Sequence, residues 1–446
     1  MAEEVAFTIR LRDIKPTQFI LSLIAALGGD GNSTTLADLH RKFNEMTDYH
    51  VTYRSWVNQA KKDALPQLVL WLWFRSLEML SNKVLAFDKN SPFSEFEHIL
   101  IQDGSSQAVY NALEGMFPGR FSTVSPAAIE MHATMDLLHD SLVRVQLTED
   151  TRSERACLPT LPSSLGQVLI LYDAGYFDLE HFASVDDREG CFLCKAPQSI
   201  NPTVLSAMRE DGKALNRYKD KPLKDILSGA PKDQCLDLDV VWPSFKRWIF
   251  RLIVRWNGKK KKWVFIVTNL NRAEFTLNEV LQAYRLRWQI EFLFKELKSY
   301  SGWHRFNTQS PTLVVSLILL SFTVVTLKRY LAYAAQTGLF KANMIEEIST
   351  HKVMKSGTHL YGNVICAMIE QGRRLFSPLR KRLEFWECNA RREHAVGDGC
   401  TGRTRLGLLM PTLREVVNLR FQMLVDEISA FLYWVRQALQ LDGLLG

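Results

Sequence analysis

Apolar positions along the chain change their period twice. In residues 1–95 they recur at spacings of three and four, as on one face of a helix. Phe19, Ile20, Leu23, Ile24 and Leu27 form such a face, opened by Pro16 and closed by Gly28-Gly29-Asp30-Gly31-Asn32. Ser33, Thr34 or Thr35 can cap a second helix bearing Leu36, Leu39 and Phe43. A third helix is predicted from about Thr52.

From about residue 96 the period falls to two. His98-Ile99-Leu100-Ile101-Gln102 reads as a short strand that runs into Asp103-Gly104-Ser105-Ser106. Ala127 to Met135 and Ser141 to Leu147 predict two more strands. Pro159 and Pro162 mark a break. Gln167 to Tyr172 is a compact buried strand that ends in Asp173-Ala174-Gly175-Tyr176. Residues 192–268 stay strand-like, weakly over Asp237 to Val241 and strongly over Arg247 to Val254 and Trp263 to Thr268. Four lysines, Lys259 to Lys262, form the loop between the last two. From Leu277 onward the helical period returns.

Composition narrows the class. Apolar residues are 47% of the 446 and charged residues 23%, which excludes a fibrous or wholly disordered chain. The length suggests roughly three units at ~150 residues each. A formal charge of +7 permits nucleic-acid binding without requiring it. The opening Met-Ala-Glu-Glu carries no apolar signal core, so secretion is not expected. The longest uncharged apolar run, Thr312 to Leu327, is short of the ~20 residues of a membrane span and reads as a buried helix. The seven scattered cysteines suggest reduced thiols. Cys191 and Cys194 lie in a strand pattern, so buried thiols are expected there and not zinc ligands.

Most of the chemistry lies on the helix predicted after Thr276, where Thr276 and Glu279 make a capping box. At 100° per residue, Tyr284, Arg287, Glu291, Lys295 and Lys298 fall on one face, with Trp288 beside them. Leu286, Ile290, Leu293 and Leu297 fall on the other. A solvated face with a Glu291–Lys295 pair accounts for part of this pattern. It does not account for the whole spacing Tyr284-x2-Arg287-x3-Glu291-x6-Lys298.

That spacing resembles the signature of the insertion-sequence-4 family of bacterial DDE transposases. The flanks RWQIE and FKELKS resemble it too, as do Asp173-Ala-Gly-Tyr, Asp103-Gly-Ser-Ser and Thr268-Asn269-Leu270. The likeness covers roughly residues 96–330. It implies an α/β fold: an RNase H-like catalytic core over 96–191 and 269–330, interrupted by a β-rich insertion at 192–268. A helical N-terminal DNA-binding region (1–95) and a helical C-terminal region (331–446) flank the core.

Asp103, Asp173 and Glu291 are then the catalytic acids and the ligands of two Mg²⁺ ions, with Mn²⁺ able to substitute. Mg²⁺ favours carboxylate oxygen, and an ion pair can activate water and stabilise the leaving oxygen. Asp136 and Asp140 compete for the first role, but Asp103 leaves room for two strands before Asp173. Tyr284, Arg287, Trp288, Lys295 and Lys298 are expected on DNA phosphates. One of Trp242, Trp248, Trp256 and Trp263 could stack on a flipped base, although tryptophans in alternating strands are more often core.

The third N-terminal helix carries Arg54, Trp56, Asn58, Gln59, Lys61 and Lys62, so the region resembles a helix-turn-helix, though any surface helix carries such residues. The stretch Arg373 to Arg405 holds nine basic residues against four acids and could grip DNA or form a solvated loop. The implied activity is cleavage of double-stranded DNA at the terminal inverted repeats of a mobile element. Joining of the 3′ ends to target DNA follows, by a homodimer in the bacterial cytoplasm, at the nucleoid when bound, with no membrane partner. Alternatives are a catalytically silent, transposase-derived repressor and an RNase H-like nuclease.

Overall fold

The computed structural model describes residues 7, 14–29, 35–47, 50–80, 85–302, 308–341, 349–355 and 408–409. The basic stretch 373–405 and most of the expected C-terminal region lie outside them. Four helices come first: α1 (Pro16–Gly28), α2 (Leu36–Met46), α3 (Tyr53–Ala60) and α4 (Leu65–Leu80). Thr35 supplies the α2 cap in a full capping box with Asp38. Trp56, grouped by sequence with the DNA-reading residues of α3, is instead fully buried against Phe19, with ring centres 5.6 Å apart. Arg54, Asn58 and Lys61 remain on the exposed face.

After a short strand β1 (Ala86–Phe87), paired antiparallel with Leu408–Leu409, a ten-stranded sheet forms the centre. Its strands are β2 (His98–Ala108), β3 (Pro118–Phe121), β4 (Ser125–Asp136), β5 (Ser141–Glu149), β6 (Val168–Tyr172), β7 (Cys191–Lys195), β8 (Thr203–Arg209), β9 (Leu236–Trp242), β10 (Phe245–Asn257) and β11 (Lys262–Thr268). The order is β3-β4-β2-β6-β7-β11-β10-β9-β8, with β5 also on β4. Only β2–β6 and β6–β7 are parallel. The strands of 203–268 extend this same sheet through β11, which lies between β7 and β10.

Strand alternation separates two apolar layers. Ile99, Ile101, Leu169 and Leu171 face one core, which they share with the helices. Ile170, Tyr172, Phe192 and Leu252 face the other. Two short helices, α5 (Leu179–Asp186) and α6 (Leu223–Gly229), lie between strands.

The long helical segment predicted after Thr276 is broken. It runs as α7 (Leu277–Arg285), one 3₁₀ turn (Leu286–Trp288) and α8 (Gln289–Tyr300). Helix α9 (Pro311–Lys341) contains the apolar run and extends well beyond it. Its span Pro311–Tyr333 is long and apolar enough to cross a membrane, yet 78% of its most apolar window is buried inside the protein. It packs on α1, α4 and α8.

Two cations on α9 are buried by that packing. Lys328 donates to Gly28 O at 2.7 Å and to Tyr300 O at 2.8 Å, the carbonyl ends of α1 and α8. Burial pulls its pKa down to about 7. Arg329 donates to Glu296 of α8 at 2.8 Å and to the Asp140 carbonyl at 2.8 Å, and its Nη1 lies 3.0 Å from an Asp140 carboxylate oxygen. Thr350 donates to the other Glu296 oxygen at 2.9 Å. One buried guanidinium thus ties α8 to the β4–β5 turn.

Candidate active site

Asp103 and Asp173 reach one place by strand parity. Asp103 follows Ile99 and Ile101 onto the helix-covered face, and Asp173 follows Leu169 and Leu171 onto the same face. The parallel register pairs Gln102 with Tyr172, so the two acids are neighbours on adjacent strands. Asp103 does not end its strand, as the sequence suggests. Strand β2 continues to Ala108, paired with β4 through Gly104–His132 and Ser106–Glu130. A Cβ at Gly104 would stand 3.0 Å from a Glu130 oxygen and 3.3 Å from the Tyr176 hydroxyl, which explains glycine there.

Helix α8 packs Ile290, Leu293 and Leu297 into the core and turns Glu291 toward these acids. The three carboxylates converge on one guanidinium. Arg287 Nη1 pairs with Asp103 Oδ2, Nη2 donates to Glu291 Oε1 at 3.2 Å, and Nε lies 3.6 Å from Asp173 Oδ1. Tyr284 donates to Asp173 Oδ1 at 3.3 Å and to Tyr172 O at 3.2 Å. Lys298 donates to Ser106 O at 2.9 Å. An open cleft of about 450 Å³ is lined by Asp103, Asp173, Arg287, Glu291, Lys295 and Lys298 among others. Trp288 lies outside that lining and is 54% exposed.

The rival acids go elsewhere. Asp136 pairs in register with Leu100, so it points to the opposite face from Asp103 and hydrogen-bonds two histidines. Asp140 is committed to Arg329. Cys194 is buried and donates its thiol to Asp173 O at 3.6 Å, while burial pushes Cys191 up to about 12. Cys194 is the buried thiol that the strand pattern suggests, whereas Cys191 is only partly buried. Trp242 packs in the second core against Phe250, and Trp256 against Trp263.

Glu154 has no sequence motif around it and escapes sequence reasoning. Its carboxylate lies against Gly175, where a Cβ would stand 1.3 Å from Oε2. Burial and the nearby Asp173 raise its pKa. A side chain at Gly175 would therefore have to displace the Glu154 carboxylate.

Charge in the cleft is mixed: Asp103, Asp173 and Glu291 stand with Arg287, Lys295 and Lys298. Three carboxylates share one guanidinium, and burial, opposed by Arg287 and reinforced by Asp173 and Glu291, pushes Asp103 up to about 7. Carboxylate oxygens from three separate elements, converging where a cationic group already sits, suit a hard divalent cation. A stability test follows from the sign. The folded state holds the Asp103 proton more tightly than the unfolded chain, so ionisation costs stability as pH rises from about 4 to about 7. Asp103→Asn removes this cost. In chelator, its stability relative to wild type is expected to climb over that window and then level off, by up to ~4 kcal/mol at ~1.4 per unit. Urea titrations at pH 4.5 and 8 measure it, and a pH-independent difference would contradict it.

Residues 97–327, about half the chain, match the transposase DDE domain. The chain belongs to this DDE transposase family. Its similar relatives include the transposase for insertion sequence element IS1151 of Clostridium perfringens, 23% identical over 46% of this chain and 50% of that one. The transposase for IS231F of Bacillus thuringiensis subsp. israelensis is 24% identical over 47% and 51%. The family member thus spans about half the length of the curated relatives it matches. A piggyBac transposase synaptic complex with hairpin DNA, solved by cryo-electron microscopy, aligns at a TM-score of 0.42 with 10% identity, over 89% of this chain and 82% of that one. The matched domain contains Asp103, Asp173, Glu291 and the residues around them.

Proposed function

We propose that this protein is a transposase of the insertion-sequence-4 type. It cuts double-stranded DNA at the terminal inverted repeats of its own element and joins the 3′ ends to target DNA, working as a homodimer in the bacterial cytoplasm. The observation that carries this reading is the convergence of Asp103, Asp173 and Glu291 on one guanidinium in an open, lysine-edged cleft. The order β5-β4-β2-β6-β7, antiparallel up to β2 and parallel beyond it, supports an RNase H-like core. Strand β7, expected from the sequence to belong to the insertion at 192–268, pairs with β6 in this core, so the insertion would be the strands of 203–268.

Asp103, Asp173 and Glu291 would hold two Mg²⁺ ions, which supply activation of the attacking hydroxyl and charge stabilisation at the phosphate. Asp173 is held from behind by Tyr284 and by the Cys194 thiol on its carbonyl. Arg287 holds the three acids together and lies where a DNA phosphate, once bound, could take its fork. Lys295 and Lys298 would meet the adjacent backbone as point charges. A silent repressor would have no use for the three intact acids, and a simple nuclease none for the Tyr-Arg-Lys set.

Incubation with Mg²⁺ and DNA carrying the flanking ends of the element tests the reading. Nicks mapping to the repeat termini are expected, and random or absent cleavage would contradict it. Lys298→Ala is a finer test. Burial lowers the Lys298 pKa, and a phosphate contact there is independent of base identity. End binding should weaken similarly for all end sequences, and its log–log salt slope should become shallower by about one unit. Titrations at several salt concentrations measure this, and an unchanged slope would assign Lys298 to contacts within the protein such as that to the Ser106 carbonyl.

A further inference from the structure

The sheet carries a second cluster of ligand-type side chains, remote from the acids. His98 opens β2, Asp136 closes β4, and His139 sits in the turn that follows. Both histidines place Nδ1 2.7 Å from the same oxygen, Asp136 Oδ2. Their rings stack at 5.5 Å with 19° between the planes. The three candidate ligand atoms lie within 4.8 Å of one another. The Asp136 side chain is 2% exposed, His139 24% and His98 47%, so the cluster is built at its base and open at its mouth. Asp136 Oδ1 accepts from Leu138 N at 3.0 Å, which orients the carboxylate as outer partners orient metal ligands.

The position separates this cluster from the cleft. His98 pairs with Val168 at the start of β6, whereas Asp173 follows its end. Five residues of strand put His98 ~16 Å from Asp103. Parity puts Asp136 on the opposite face of the sheet.

We propose that His98, Asp136 and His139 form a site for a divalent transition ion of the Zn²⁺ class. Two imidazoles and one carboxylate suit Zn²⁺, Co²⁺ or Ni²⁺ and disfavour Mg²⁺. Three protein ligands leave a fourth, solvent-facing position. A tetrahedral ion with ligands ~2.0–2.1 Å away needs donor atoms somewhat farther apart than these hydrogen bonds hold them, so both rings must back off the carboxylate, and neither is fully buried. The bound ion would staple the start of β2, the strand that carries Asp103, to the β4–β5 turn. It would do so without joining the reaction.

Zn²⁺ alone is the probe, added to the full chain with Mg²⁺ in large excess to fill the carboxylate cleft. The comparison is wild type against His98→Asn/His139→Asn, in which each amide nitrogen can still donate to Asp136 but ligates poorly. Far-UV circular dichroism checks that the variant folds. Wild type is expected to bind one equivalent with imidazole scattering at the zinc absorption edge and to melt at a higher temperature with Zn²⁺. The double variant should bind at least ~10-fold more weakly and lose both effects. Should it fail to fold, His139→Asn alone carries the comparison with the same expectation. Equal affinity and the same imidazole signature in the variant would overturn the proposal. So would wild type that shows no imidazole scattering.

Discussion

Glu291→Gln is expected to reduce Mg²⁺-dependent end cleavage on the order of 10³-fold, because the metal pair contributes several kcal/mol to the transition state and each ~1.4 kcal/mol is tenfold. The amide keeps an oxygen for Arg287, which donates to Glu291 Oε1 at 3.2 Å, so the fold should be little disturbed. End binding should persist, since most affinity for DNA comes from phosphate contacts elsewhere. Single-turnover cleavage measured beside gel-shift affinity separates the two. A variant that cuts at near wild-type rate would remove Glu291 from the chemistry.

The largest stability effect is expected away from the cleft. Arg329→Met leaves Glu296 and Asp140 buried without their cation, at 1% and 2% side-chain exposure. Breaking a buried pair by removing one partner costs ~3–5 kcal/mol. Chemical denaturation should show a loss of that size. Glu296 lies on α8 five residues past Glu291, so the loss should also loosen the helix that aims the third acid. Activity in the surviving folded fraction should fall as well. A change under 1 kcal/mol would mean that solvent reaches these carboxylates more readily than their burial indicates.

The placement of the acids was largely legible in the chain. Alternation over His98–Gln102 and Gln167–Tyr172 puts both acids at strand ends, which holds for Asp173 after β6 but not for Asp103 inside β2, and the Thr276–Glu279 capping box locates the start of α7. Local rules erred where tertiary contacts override them. The apolar strand pattern ends at Gln102, yet β4 pairs with Gly104, Ser105 and Ser106 and keeps them extended. The wheel that aligned Tyr284 with Lys298 assumed one unbroken helix. The 3₁₀ turn at Leu286–Trp288 leaves that face intact because it spans only one turn. Arg287 was assigned to phosphate. Its fork also reaches all three acids, a meeting of residues 184 apart that spacing cannot show. The Arg329–Glu296–Asp140 network was invisible for the same reason.

The choice between Asp103 and Asp136 tests the central claim most directly, because strand parity assigns them to opposite faces of one sheet. The measurement is cleavage of element-end DNA in Mg²⁺ by Asp103→Asn and by Asp136→Asn, each shown to be folded. The expected result is loss of cutting in the first, with end binding retained, and cutting preserved in the second. Cutting by Asp103→Asn, with loss in Asp136→Asn, would contradict the assignment of the first acid to Asp103.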